Sequence, residues 1–151
     1  MTGEVAGQEQ ATLHATAVAI AGSGVLIRGV SGSGKSDLAL RLIDRGATLV
    51  ADDQVEMVRE GERLLLGAPA SLAGKMEVRS LGICQLDHVA GVELKLVIDL
   101  KAQPDRFPLD RQVVILLGLE VPACTLTAME SSAPIKAEMA LQQIRNGARA
   151  S

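Results

Sequence analysis

Aromatic side chains are nearly absent from this sequence of 151 residues. It contains no tryptophan and no tyrosine, and its one phenylalanine is Phe107. The chain is long enough for one domain with a real core, which must be built from leucine, valine, isoleucine, alanine and methionine. This composition favours an α/β domain over an aromatic-rich β-sandwich. It also excludes the aromatic platforms on which many single-stranded nucleic acids stack.

The sequence also lacks an excess of positive charge. Its 15 lysines and arginines are outnumbered by 18 aspartates and glutamates, which gives a formal net charge of −3. No basic stripe is available to neutralise the phosphates of a duplex, so we predict no binding to nucleic acid. The longest uncharged run, residues 11–27, contains a histidine and two glycines, and the first ten residues contain no apolar signal core. We therefore predict no contact with a membrane.

Cysteine is equally scarce. The two cysteines, Cys84 and Cys124, each stand in an apolar setting. Two isolated cysteines make neither a metal cluster nor a disulfide framework, so we predict two buried thiols. A reducing, cytoplasmic location fits this pattern.

The remaining patterns predict a disordered leader over residues 1–10 and one domain over residues 11–151. A strand over 12–21, a turn at 22–24 and a strand over 25–30 form a predicted hairpin. A helix from Lys35 to Arg45 follows, with Gly46 where the end of a helix favours a left-handed residue. After it, a buried strand within 47–55 ends in two aspartates. The later predictions are a hairpin over 55–67, a loop over 68–80, strands within 81–89, 93–101 and 112–128, a loop over 104–110, and a helix from Pro134.

Residues 29–36, GVSGSGKS, match the phosphate-binding pattern G-x-x-x-x-G-K-[ST] in full. Glycines permit a tight loop whose backbone N–H groups face phosphate oxygens, and the following helix directs its positive end to the same anions. The lysine reaches the β- and γ-phosphates, and the last serine offers a hydroxyl to Mg²⁺. The predicted ligands are ATP and Mg²⁺, and the predicted nucleotide contacts are Gly29, Val30, Ser31, Gly32, Ser33, Gly34, Lys35 and Ser36.

Two acids stand where such a site needs them, at the end of the strand that follows the helix. Asp52 and Asp53 are adjacent, so their side chains point to different sides. One can face the metal while the other faces the attacking group. By spacing alone, His14 is typical of a structural histidine, and Glu77 with Arg79 is typical of an exposed, salt-bridged strand.

In combination these segments resemble a known family. The run LHATAVAIAGSGVLIRGVSGSGKSDLALRLIDRGATLVADDQVEM, with its strand histidine, phosphate loop and VADD, is similar to the catalytic domain of HPr kinase/phosphorylase. GKMEVRSLGI resembles the family signature E-x-R-G-x-G-I, with Ser80 where glycine is common. The resemblance implies a P-loop fold of the phosphoenolpyruvate carboxykinase type, an α/β domain with a mixed β-sheet and flanking helices. It also implies an ATP-dependent kinase that phosphorylates a serine of the phosphocarrier protein HPr.

The resemblance further implies a role for each side chain of the site. Asp52 matches the catalytic aspartate that exchanges a proton with the serine hydroxyl, and His14 matches a histidine near it. Lys35 and Arg79 would offset charge during transfer. The implied catalytic residues are thus Asp52, His14, Lys35 and Arg79, and the implied metal-site residues are Ser36, Asp53 and Glu77.

The sequence also departs from the family pattern. Family members usually begin with a regulatory domain, whereas His14 comes almost at the start here, so we expect a form that lacks that domain, as in alphaproteobacteria. The family's arginine-containing C-terminal loop is linked to dephosphorylation, but no arginine occurs between Arg111 and Arg145. We therefore expect weak or absent phosphorylase activity. The implied partner is HPr, and the implied assembly is a homo-oligomer, a hexamer in the family.

Two other interpretations stay open from the sequence. One is a different P-loop enzyme, such as a small-molecule kinase or an NTPase. The other is an ATP-binding sensor that has lost catalysis. The presence of both aspartates disfavours the sensor, because a protein that only binds ATP has little use for two carboxylates at the phosphates.

Overall fold

The computed structural model describes residues 9–102 and 112–150. These residues form eleven strands, one short 3₁₀ turn and two helices, and the mixed α/β architecture predicted above is confirmed. The helices are α1 (Lys35–Asp44) and α2 (Ala133–Ala150), and the 3₁₀ turn spans Ala70–Leu72. The strands are β1 (Gln10–Leu13), β2 (Thr16–Ile20), β3 (Ser23–Arg28), β4 (Thr48–Ala51), β5 (Val55–Glu60), β6 (Arg63–Gly67), β7 (Lys75–Val78), β8 (Gly82–Gln85), β9 (Val92–Leu100), β10 (Gln112–Leu116) and β11 (Leu119–Leu126).

Nine of these strands form one mixed sheet, and its central part runs β4-β2-β3-β9-β11. Strands β3, β9 and β11 are parallel, while β2 is antiparallel to both β3 and β4. The carboxyl ends of β3, β4, β9 and β11 therefore lie along one edge. In open α/β sheets this edge is where ligands bind.

Strand β9 belongs to two parts of the sheet at once. Its first residues pair with β6, through Glu93 opposite Leu65, whereas its last residues pair with β11, through Val97 opposite Ala123. Its other edge pairs with β3 over the whole of that strand's buried stretch. The remaining strands, β1 and β5, extend the β6 side, and β10 extends the β11 side.

The core consists of two aliphatic clusters. One lies beneath the two helices, where Leu38 and Leu42 of α1 and Leu141 of α2 are buried against β3 and β9. The other includes Met57 of β5 and Leu66 of β6. Every buried hydrophobic residue is alanine, valine, leucine, isoleucine or methionine, so the predicted composition of the core is confirmed for the described residues.

Several predicted boundaries were wrong. The strand expected over 12–21 is interrupted between β1 and β2, and β1 pairs with β5 rather than continuing the first hairpin. The stretch 68–80, expected to be a loop, contains β7, and the stretch 112–128 folds back on itself as β10 and β11. The predicted loop over 104–110 and the first eight residues of the predicted leader lie outside the described residues.

The helix prediction is confirmed at both ends. Helix α1 begins at Lys35, and Gly46 just beyond its end has a left-handed φ of 113°, as expected of a residue that ends a helix. The prediction of two buried thiols was wrong, because Cys84 and Cys124 are only half-buried. Within residues 9–102 and 112–150, neither helix is long and apolar enough to cross a membrane.

Candidate functional site

The Gly-rich loop connects β3 to α1 at the carboxyl edge of the sheet. Gly32 and Gly34 have φ values of 81° and 99°, a region that side chains with a Cβ rarely occupy. The Lys35 ammonium group donates to the carbonyl oxygens of Gly29 at 2.8 Å and Val30 at 3.2 Å, and the lysine is only 9% exposed. The loop therefore encloses a positive charge at the N-terminal end of a helix, which is a favourable place for an anion.

Two glycines of this loop are also required by space. A Cβ at Gly29 would contact Ser33 Oγ, and a Cβ at Gly34 would lie 2.8 Å from the Cβ of Ala128. Ser33 Oγ is buried and has no hydrogen-bond partner within the part of the chain that the structure describes. Its side chain thus packs beneath the loop.

Asp52 is the most buried acid of the site and is only 7% exposed. Its Oδ1 accepts hydrogen bonds from Ser36 Oγ at 2.6 Å and Thr16 Oγ1 at 3.1 Å, and its Oδ2 accepts from the backbone N–H of Glu77 at 3.3 Å. A buried carboxylate needs such donors, because desolvation without them is costly. The three contacts fix Asp52 against the serine that ends the phosphate motif.

The sequence reasoning missed Thr16. This residue is fully buried in β2, the antiparallel strand inserted between β3 and β4. Strand β2 lies between β3, which leads into the phosphate loop, and β4, which leads to Asp52. The Thr16 hydroxyl can therefore reach the Asp52 carboxylate. The available signal was a lone hydroxyl in an otherwise apolar strand, TAVAI.

Asp53 and His14 form a separate pair. The Nδ1 atom of His14 lies 3.6 Å from Oδ1 of Asp53, and the two side chains are 60% and 65% exposed. Asp53 has a left-handed φ of 73°, so its side chain turns away from the direction taken by Asp52. Among the described contacts, the histidine thus pairs with the second aspartate, whereas the resemblance implied proximity to the first.

Glu77 and Arg79 come from the hairpin of β7 and β8, which forms a small sheet of its own. The backbone N–H of Glu77 donates to Asp52, but the side chains of Glu77 and Arg79 are both exposed. Arg79 has no ion pair within residues 9–102 and 112–150, so the salt bridge that the spacing suggested is not present there. The hairpin thus places one carboxylate and one guanidinium group at the rim of the site.

A metal ion would need more than these side chains. No cluster of three histidine, cysteine, aspartate or glutamate residues suited to a metal occurs in the described ranges. Ser36 Oγ and Asp52 nevertheless offer two adjacent oxygens beside the phosphate loop. Such a donor set fits Mg²⁺, which commonly binds through one or two protein oxygens together with substrate phosphates and water.

The strand before the loop is anchored by an ion pair. Arg28, the last residue of β3, donates through Nε and Nη2 to both carboxylate oxygens of Asp99 in β9, at 2.8 and 3.1 Å.

Burial, and secondarily the negative charge of Asp99, raises the pKa of the half-buried Cys124 thiol to about 11. Cys124 is therefore protonated at neutral pH.

Comparison with known proteins places this geometry in a family. The HPr Serine kinase C-terminal domain matches residues 6–149. HPr kinase/phosphorylase proteins from Burkholderia lata and Burkholderia cenocepacia are each 42% identical over 129 residues, an alignment that covers 78% of this chain and 40% of each relative. The chain thus spans less than half of the length of these curated relatives.

A solved structure supports the same assignment. The HPr(Ser) kinase/phosphatase from Coxiella burnetii superposes with a TM-score of 0.80 at 30% identity, covering 92% of this chain and 99% of that one. The phosphate loop, the aspartate bound to its serine and the signature hairpin thus occur together in a fold that this enzyme shares. The chain belongs to the HPr serine kinase C-terminal domain family.

Proposed function

We propose that this protein transfers the γ-phosphoryl group of ATP to a serine of the phosphocarrier protein HPr. The observation that supports this proposal most directly is the 2.6 Å contact of Asp52 with Ser36 at the end of a complete phosphate loop. It joins a carboxylate to the position where the transferred group would lie. The relatives named as HPr kinase/phosphorylase give the acceptor.

In this proposal the phosphate loop binds the triphosphate. Backbone N–H groups of residues 29–36 face the phosphates, and the Lys35 ammonium group exchanges its carbonyl partners for phosphate oxygens. Ser36 and a carboxylate would hold Mg²⁺, which when bound neutralises charge on the β- and γ-phosphate oxygens. Glu77 and Asp53 are the exposed acids available to complete its surroundings.

Asp52 would accept the proton of the HPr serine hydroxyl. Its hydrogen bonds from Thr16, Ser36 and the Glu77 backbone hold the carboxylate in one orientation, so little rearrangement is needed when the serine arrives. Arg79, exposed at the rim, would offset charge on the transferred group, and His14 would orient Asp53. Most of the acceleration would come from positioning and electrostatics.

The proposal extends to the setting of the enzyme. HPr would be the partner and a homo-oligomer the assembly, with a hexamer as in the family that the sequence resembles. The proposed location is the cytoplasm, whose reducing conditions fit two free cysteines. Weak or absent phosphorylase activity remains part of the proposal.

The intact mass of HPr after incubation with this protein, ATP and Mg²⁺ tests the function. We expect one added phosphate with the wild type and none with Lys35→Ala, which removes the cation of the loop. Asp52→Asn should abolish transfer yet leave ATP binding nearly intact, since an amide cannot take the proton. Loss of ATP binding in Asp52→Asn would instead make Asp52 chiefly a metal ligand. If the wild type binds ATP but adds no mass to HPr, the result would favour an ATP-binding sensor that has lost catalysis.

A further inference from the structure

The sheet gives the bound nucleotide a direction. Counted from β3, which leads into the phosphate loop, Asp52 follows a strand two positions to one side, and the segment after β11 lies two positions to the other. Strands β4 and β11 each lie about 10 Å from β3, because neighbouring strands are about 4.8 Å apart. In the proposed function Ser36 and Asp52 lie at the γ-phosphate end, which leaves the side of the segment after β11 for the nucleoside.

That segment, residues 127–132, is attached to α1 beside the loop. The buried Ala128 contacts the position where a Cβ of Gly34 would stand. The Arg41 guanidinium of α1 donates through Nη2 to the carbonyl of Ala128 and through Nη1 to that of Glu130, at 3.1 Å for the latter. The same guanidinium is held by Asp37 through Nε at 3.0 Å. The segment is therefore fixed relative to the helix that begins at the phosphates.

Met129 stands between the two residues that Arg41 holds. Its side chain is 89% exposed, more than any other large hydrophobic side chain among the described residues. A single exposed hydrophobic residue is ordinary on a surface. This one is different in that Arg41 binds the carbonyl groups of the residues on both sides of it, and its neighbour Ala128 lies against the phosphate loop.

A nucleotide base needs an apolar face to lie against, and this chain offers almost no aromatic ring for that purpose. Methionine is the natural substitute, because its polarisable sulfur makes favourable contacts with aromatic rings. A purine gains more from such a contact than a pyrimidine, since its fused rings present a larger face.

From these observations we infer that Met129, displayed by the Arg41-anchored segment 127–132, contacts the purine base of the nucleotide whose triphosphate occupies residues 29–36. The inference rests on the proposed function for the position of the triphosphate. It adds a base contact on the β11 side of the loop, 93 residues after the last residue of the phosphate motif.

Equilibrium binding of two probes, Mg²⁺-ATP and Mg²⁺-tripolyphosphate, to the full chain separates the base from the phosphates. Met129→Ala should weaken ATP binding about fivefold, the size of one methionine–aromatic contact, and leave tripolyphosphate binding unchanged. Met139→Ala is the matched control, because it is the same truncation of an exposed methionine, 56% exposed on α2. It should change neither constant.

Three results would overturn the inference. Equal ATP affinities for wild type and Met129→Ala would remove the base contact while leaving the phosphate site in place. Equal weakening of ATP and tripolyphosphate would mean that the substitution acts through the phosphate loop. A change confined to the KM for HPr would assign Met129 to the protein acceptor instead. Failure of the wild type to bind either probe would refute the proposed function itself, which keeps the two failures distinct.

Discussion

Replacing Ser33 by alanine should make this protein more stable, although the residue lies in the middle of the phosphate loop. Its Oγ is buried with no hydrogen-bond partner among the described residues, beneath Gly29. A buried hydroxyl without a partner costs about 1–3 kcal/mol relative to its hydrated state. Alanine removes that cost but leaves a void of one oxygen atom, which lowers the free energy of unfolding by about 0.5 kcal/mol.

The net gain is therefore about 1 kcal/mol in the free energy of unfolding. For a chain of this length that corresponds to a rise of about 2–4 °C in Tm. In urea, with a slope of about 2 kcal/mol/M, the midpoint should rise by about 0.5 M at unchanged slope. Ser31→Ala is the matched control in the same loop: Ser31 is exposed, so its loss should leave the midpoint nearly unchanged.

A lower midpoint for Ser33→Ala than for wild type would refute the reasoning, since it would mean that the hydroxyl has a stabilising partner. Repeating both titrations with saturating Mg²⁺-ATP adds a second check. Ligand binding stabilises the native state according to affinity. Because the Ser33 hydroxyl points beneath the loop, the shift produced by ATP should be equal in the variant and the wild type.

Two further outcomes follow from the loop and from the thiols. Gly34→Ala should lower stability by about 2 kcal/mol or more and abolish ATP binding, because it combines a φ of 99° with a 2.8 Å approach to Ala128. Gly22→Ala, with a φ of 84° and nothing within 4 Å, carries the strain alone, so equal losses of unfolding free energy in urea would contradict the clash. At pH 8, Cys124 should react with iodoacetamide far more slowly than Cys84, since a pKa raised to about 11 by burial leaves about 0.1% thiolate. Peptide mass spectrometry checks the order, and faster labelling of Cys124 would contradict it.

Local patterns predicted the elements whose sequence signals were strong. The phosphate motif, α1 and the glycine after it follow from spacing and from the needs of a helix end, and they stand where expected. Strand β7 was missed because it has only four residues and follows a run of small, turn-forming residues, and because it pairs only with β8 in a sheet apart from the main one. The sequence predicts one strand where the structure has the hairpin of β10 and β11. The turn at Leu117–Gly118 lies within a run that is apolar on both sides, so no polar residue marks it.

The contacts within the site could not be predicted in the same way. The hydrogen bond from Thr16 to Asp52 depends on β2 lying between β3 and β4, which is a property of the sheet order. The pairing of His14 with Asp53 likewise depends on the left-handed backbone of the aspartate. The position of Met129 beside the phosphate loop depends on the pairing of β11 with β9, two segments that no local pattern connects.

Strand β9 also affects when the site can form during synthesis. Residues 14–53 supply the phosphate loop, both aspartates and β2, which pairs with one edge of β3, but the strand that pairs with its other edge begins only at Val92. Contacts between segments so distant along the chain form slowly, because closing a long loop precedes the gain from pairing. A nascent chain that ends before β9 would therefore carry the whole phosphate motif on a strand with an unpaired edge. We expect stable nucleotide binding to arise only after the residues of β9 have emerged from the ribosome, and the unpaired edge of β3 to be open to misassociation until then.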